Sequence, residues 1–324
     1  MKRIVQICAL VPLLFWPMTE MVRADEVRSA IRDGLKDIGA GRGLPSLCVL
    51  TDATYVRVKG RTSEPMVDLI QEETGCSVGQ GNLLFFHRTS TYPLKIAIFR
   101  MDTEECVVIS YDGSQIERKK YDFGEKGFAR PSFWVREEPP LSPDTFTIVS
   151  FVKAWAAGAP YDLLKCAEFH NHLCPAIISG YMMARYISEK YPLKEGESYL
   201  WLAYPPWCKD DALQVLLDLT PGKKCLYAVG LTESQKGELT FENPAGTLVI
   251  WNEQKNFGKG VVFSFDWKKA MREDKLQMVL DLLSYVERPK EFVCVVKECE
   301  LTPEMLEKLR TGPTNPYKLL GLAK

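Results

Sequence analysis

The sequence predicts an α+β protein made of two tandem domains, each with helices packed on an antiparallel sheet. Three observations predict it. The chain has 324 residues, room for two domains of ordinary size. "EPMVDLIQEETGCSVGQGNLL" (64–84) aligns with "WCKDDALQVLLDLTPGKKCLY" (207–227) at a spacing of 143, which puts Asp68 on Asp211, Gln71 on Gln214 and Gly79 on Gly222. "GNLLFFHRTSTYPLKIAIF" (81–99) aligns with "GTLVIWNEQKNFGKGVVFS" (246–264) at a spacing of 165, which puts Gly81 on Gly246, Phe86 on Trp251 and Tyr92 on Phe257. The first pair reads as an acidic helix start, an apolar stripe and a glycine turn. The second reads as two aromatic or β-branched strands around a polar connection.

Taken in order, residues 1–24 read as a secretory signal: a positive "MKR", then the apolar "IVQICALVPLLFWPM", with cleavage after Ala24. The stretch is short and broken by Pro12 and Pro17, so it does not read as a spanning helix. Residues 25–124 form the first domain. Its "TGCSVGQGN" (74–82) lacks the GK[ST] end of a phosphate loop and reads as a turn. The proline-rich 125–144 is a linker. The second domain, 145–290, starts with a helix over 144–158 and continues with one over 176–191, where Gly180 and Ala184 suit close packing. A third helix covers 211–219, and strands are expected near 199–204, 225–230, 238–242, 247–252 and 260–266. The change of spacing implies 22 extra residues in the second copy, read as a hairpin over 225–243. Residues 291–324 read as a tail with a short helix opened by "TPEML" and a basic, poorly periodic end.

Composition narrows the partners. With 46% hydrophobic residues, 26% charged and a net charge of −1, the chain is built to bury a core and carries no basic surface for nucleic acid. No apolar run after the signal is long enough to span a bilayer, so the mature protein is expected to be soluble, secreted or periplasmic, with no stable membrane span. Removal of Cys8 leaves nine cysteines, an odd number, so at least one is free, metal-bound or paired between chains. Most are expected in disulfides after export, with Cys294 and Cys299 the nearest local pair. There is no CxxC motif.

The chemically distinctive stretch is "FHNHLCP" (169–175). If it is extended, His170, His172 and Cys174 share a face and form a three-ligand arc. Pro175 suits the first turn of a helix, which places Cys174 at its N-cap, where the helix dipole favours thiolate. Cys208, in "WCKDD", precedes the next helix in the same way. Two imidazoles with one or two thiolates suit zinc or another borderline-soft metal. A disulfide through Cys174 and a purely structural cluster both stay open on spacing alone. Asp210 and Asp211 read as helix caps, and His87 as a surface residue. His87 is the one histidine outside the motif, so a serine-hydrolase triad is poorly supported. Trp207 is either core or the wall of a pocket for a flat ligand.

These residues resemble the FmdE family, named after a component of formylmethanofuran dehydrogenase. Its pattern runs approximately FHGHLCPG, then a helix, a cysteine before a DAIQ helix, and TGCTxGKGNL. "FHNHLCPA" matches the first block with Asn171 and Ala176 for the glycines, and "CKDDALQVL" matches the second. In "DLTPGK", Leu219 replaces the cysteine of the third. The first domain keeps that third block, with Cys76, but has no HxHxC. The resemblance therefore implies two divergent copies folded as an intramolecular pseudo-dimer, a monomer with one composite site. It implies His170, His172, Cys174 and Cys208 as metal residues, with Cys76 contributed by the other copy. The expected function is an exported protein that binds a metal ion, zinc-like, or a metal cofactor such as haem, and serves a membrane transport system. The alternatives are a metal-dependent hydrolytic or redox enzyme with an open coordination position, and a disulfide-stabilised interaction domain without metal.

Overall fold

The computed structural model describes residues 18–124, 143–311 and 315–324. The expected signal up to residue 17 and the linker from 125 to 142 lie outside the described residues. The first helix, α1 (Met18–Asp37), runs through the expected cleavage point at Ala24. Among the described residues, no helix is long and apolar enough to cross a membrane.

The first half continues with β1 (Leu47–Thr51), a small hairpin β2 (Arg57–Val58) and β3 (Arg61–Thr62), then α2 (Pro65–Thr74) and β4 (Leu83–Phe85). Strands β5 (Leu94–Arg100), β6 (Glu105–Tyr111) and β7 (Ile116–Asp122) complete it. Helices α3 (Pro143–Ala156) and α4 (Tyr161–His170) lead into the second half. That half comprises α5 (Pro175–Lys190), β8 (Glu197–Ala203), α6 (Lys209–Leu217), β9 (Leu226–Ala228) and α7 (Glu233–Gly237). It ends with β10 (Pro244–Asn252), β11 (Phe257–Phe265), α8 (Lys275–Leu283), β12 (Val293–Leu301), α9 (Pro303–Thr311) and α10 (Pro316–Leu319).

Two five-stranded sheets result, ordered β4-β1-β5-β6-β7 and β9-β8-β10-β11-β12. In each, the edge strand after the helix is parallel to its neighbour and every other pairing is antiparallel. The α+β expectation therefore holds, and the strand order is the same in both sheets. The second sequence match is out of step with it. Leu83 and Leu226 occupy equivalent places, at a spacing of 143. Ile98, opposite Val49, corresponds to Leu248, opposite Trp201, at a spacing of 150. The strands around β4–β5 thus match β9–β10 rather than β10–β11, and the extra chain is 7 residues, not 22. One amphipathic strand pair resembles another, so alternation alone does not locate a strand within a sheet. The expected hairpin over 225–243 is instead β9 and α7, which starts in a Thr232–Gln235 capping box; residues 238–242 make only one bridge, Leu239 to Ala323.

Side chains alternate across strands, and this sorts the core into layers. Leu47 and Val49 of β1 face α1 and α2, while Cys48 and Leu50 face the helices of the second half. On the second sheet Trp201, Leu248 and Phe263 face that same helical layer, and Leu202, Val249 and Leu301 face α9 and α10. The architecture is helix, sheet, helix, sheet, helix, with α3–α6 and α8 shared between the two sheets. Residues 291–324 are therefore not a loose tail: β12 closes the second sheet and α9–α10 cover its outer face. The cysteines at 294 and 299 lie in this one strand, about 16 Å apart at 3.3 Å per residue, too far to be bridged. All nine cysteines from Cys48 onward are free thiols, which overturns the expectation that most are paired.

Candidate metal centre

Residues 169–174 are not an extended segment. Helix α4 ends at His170, and Asn171 takes the left-handed conformation (φ 72°) as its C-cap, donating its N–H to the Glu168 carbonyl at 3.3 Å. Asn and Gly are the residues that adopt this conformation readily, which explains why Asn171 can stand where the family pattern has glycine. The chain then reverses. The Leu173 N–H donates to Ser150 Oγ at 3.1 Å, and Cys174, in extended backbone, is the N-cap of α5 with Pro175 in the first turn. The cap position expected for Cys174 is therefore observed.

The reversal gathers the motif by a turn rather than by strand alternation. The His170 and His172 rings are 4.4 Å apart, and ligand atoms of His170, His172 and Cys174 all lie within 4.8 Å of one another. Phe146 of α3 packs on the His172 ring, centroids 5.3 Å apart. Cys208, just before α6, contacts the Cys174 thiol. It reaches that place because α5 and α6 approach very closely: a Cβ on Gly180 would lie 2.1 Å from the Lys209 carbonyl oxygen. A buried Lys209–Asp210 ion pair at 2.9 Å, with Asp210 accepting from the Trp201 indole at 2.7 Å and the Trp207 N–H at 2.7 Å, fixes the start of α6. Asp210 is not the helix cap that the sequence suggests: the N-cap is Cys208, without a side-chain cap bond, and Asp210 sits inside the first turn and ties it to the preceding chain.

Asp211 has a different role, which the sequence did not reveal. Its Oδ2 is 2.6 Å from His170 Nδ1, and its Oδ1 accepts from Gln214 Nε2 at 3.1 Å. The other ring nitrogen of His170, Nε2, is buried and has no hydrogen-bond partner. Burial alone would lower the His170 imidazole, but Asp211 and the nearby Cys208 sulfur more than reverse this and raise it to about 9. Burial, together with the neighbouring His170, drives His172 down to about 4, so that ring is neutral. Of the two thiols, Cys208 gives up its proton more easily: Cys174 donates to it and His170 faces it, against the opposing effect of burial. Cys174 is pushed up, first by that same contact and then by burial.

This donor set fits a metal ion. A histidine oriented through Nδ1 by a carboxylate, with Nε2 free, is the arrangement that supports metal ligation. Neutral imidazole and thiolate sulfur suit zinc-like ions. His170, His172 and Cys174 could hold the ion, with Cys208 alongside.

Two further expected residues lie elsewhere. Cys76 is not brought to the cluster: its buried thiol points at the Leu47 carbonyl, 3.8 Å away, in the core between α2 and the first sheet. The glycine-rich segment around it is a turn, with Gly75 and Gly81 in left-handed conformation. Trp207 is 54% exposed, packs edge-on to Trp267 at 5.6 Å, and with Phe241 and Phe265 lines a cavity of about 530 Å³ beside Cys208. It lines a pocket and is not core. His87 is at the surface.

No curated protein matches the chain. Residues 169–296, which contain the histidine–cysteine motif, α5, α6 and four strands of the second sheet, match the family model described as FmdE, Molybdenum formylmethanofuran dehydrogenase operon. The second half of the chain is thus FmdE-like.

Proposed function

We propose that this is an exported metal-binding protein that captures a zinc-like ion through His170, His172 and Cys174, with Cys208 as an additional sulfur donor. The observation that carries this reading is the His170 ring, held by Asp211 through Nδ1 and left with a buried, unpartnered Nε2 among His172 and Cys174. The tightness of the cluster favours a bare ion over haem, whose flat ring would keep donors on its two faces well apart. The basic and apolar start of the sequence supports export, and a membrane transport system is the partner expected for such a carrier. The matching strand order of the two sheets supports a duplicated, monomeric pseudo-dimer with a single site.

Elemental analysis of the purified protein tests this, with the absorption spectrum of its cobalt-loaded form as the second readout. The wild type is expected to hold one ion, and His172→Ala and Cys174→Ala to lose it. Unchanged metal content in both variants would sink the ligand assignment.

A further inference from the structure

The first half of the chain has no HxHxC, yet it grips both helices that carry the motif's surroundings. We propose that it serves as the positioning element of the metal centre, through Tyr55 on α4 and Arg88 on α3, a role that rests on the metal reading above.

The first clamp is at Glu168. Tyr55 Oη donates to Glu168 Oε1 at 2.7 Å, and the His87 backbone N–H donates to the Glu168 carbonyl at 3.1 Å. That carbonyl also accepts from Asn171, so one oxygen ties the helix cap to the first sheet. The Tyr55 and His87 rings meet edge-on at 4.8 Å, and Lys165 pairs with the other Glu168 oxygen. Glu168 and His170 are two residues apart, on opposite sides of the helix. The clamp therefore holds the last turn from behind while His170 faces the metal site. Helix ends fray when nothing restrains them, so the restraint falls where it matters for ligand geometry.

The second clamp has the same logic. Arg88 Nη1 lies 3.1 Å from Asp144 Oδ2, an ion pair without hydrogen-bond alignment, and Lys95 reaches the same oxygen at 3.3 Å. Asp144 is two residues before Phe146, which packs on His172. Arg88 is itself nearly buried, stacked over Tyr92 at 3.9 Å and 3.8 Å from the buried Asp52 carboxylate. The loop that delivers Tyr55 is held against its own preference. Thr54 sits at φ 83°, an unfavourable place for a β-branched residue, and its N–H donates to Ser63 Oγ at 3.1 Å.

The test compares Tyr55→Phe with Lys153→Met, which removes another contact between the halves, Lys153 to Glu104, away from the cluster. Cobalt(II) is the probe: its d–d and sulfur-to-metal bands report geometry, and competition with a chelator gives the affinity. Urea unfolding reports overall stability, and hydrogen exchange over residues 166–174 reports the clamp in the metal-free protein. Tyr55→Phe is expected to weaken cobalt binding about tenfold, change the d–d bands and speed exchange over 166–174. Lys153→Met is expected to lower stability comparably and leave the cobalt site unchanged. The proposal is overturned if Tyr55→Phe keeps the wild-type spectrum and affinity, or if Lys153→Met alters them equally. Wild-type protein that takes up no cobalt would instead overturn the metal reading, and the positioning role with it.

Discussion

At His170 the local charges set up a proton that a metal must displace. The imidazole is raised to about 9 although burial opposes it, because Asp211 and the Cys208 sulfur favour the cation. A histidine raised in the folded state contributes stability that is fully present below its unfolded value near 6.5 and is lost as pH climbs through about 9. Metal uptake runs the other way. It releases the His170 proton, so affinity should rise with pH up to about 9 and level off there for this group. Asp211→Asn should remove the stability contribution, lowering metal-free stability most below pH 6.5 and flattening its fall between pH 6.5 and 9, and weaken metal binding 10- to 100-fold. Thermal unfolding across that pH range and chelator competition measure the two effects. His170, His172 and Cys174 were legible as a cluster from residue type and spacing, and Cys208 as their neighbour from its like place before a helix. Asp211 was not, because two acids at a helix start satisfy capping rules equally well, and only the fold shows that one of them faces an imidazole. Cys76 misled for the opposite reason: a shared family block fixes a residue's place within its own copy, not its distance from the other.

Among the elements, the crossing of α5 and α6 decides whether Cys208 reaches the cluster. Gly180 was singled out in the sequence as a small residue suited to close packing, and the Lys209 carbonyl occupies the space its side chain would need. Gly180→Ala should therefore force the helices apart despite alanine's better helix propensity, costing roughly 2 kcal/mol in denaturant unfolding. It should also lower metal affinity by moving Cys208. A variant as stable as wild type would show that α6 yields easily. Helices with clear stripes and caps were readable in advance, as over 65–74 and 175–190. Strand β12 was not: its sequence, VCVVKECEL, mixes exposed apolar and charged side chains because one face lies open at the sheet edge, which blurs the alternation.

For the molecule as a whole, the two sheets share strand order but not chemistry. If the pseudo-dimer reading holds, the purified chain should be a monomer carrying one metal ion, as measured by light scattering with elemental analysis on the same sample. A symmetric dimer with two equivalent sites per pair of chains would be compatible with one ion per chain but not with an intramolecular partner, and would contradict that reading. The shared helix–turn–strand pattern was visible in the sequence because the block over 64–84 has a counterpart over 207–227 at constant spacing. The later strands stand at a different spacing and do not align by eye.

The middle layer of helices has one more consequence. It follows the first sheet in the chain, carries the histidine–cysteine motif at its heart, and roofs the second sheet as well. Neither half owns it. The halves are therefore welded by solvent exclusion and not merely tethered by peptide bonds. Once folded, the pair should behave as one cooperative body in which a nick between residues 124 and 143 would change the connectivity and leave the assembly standing.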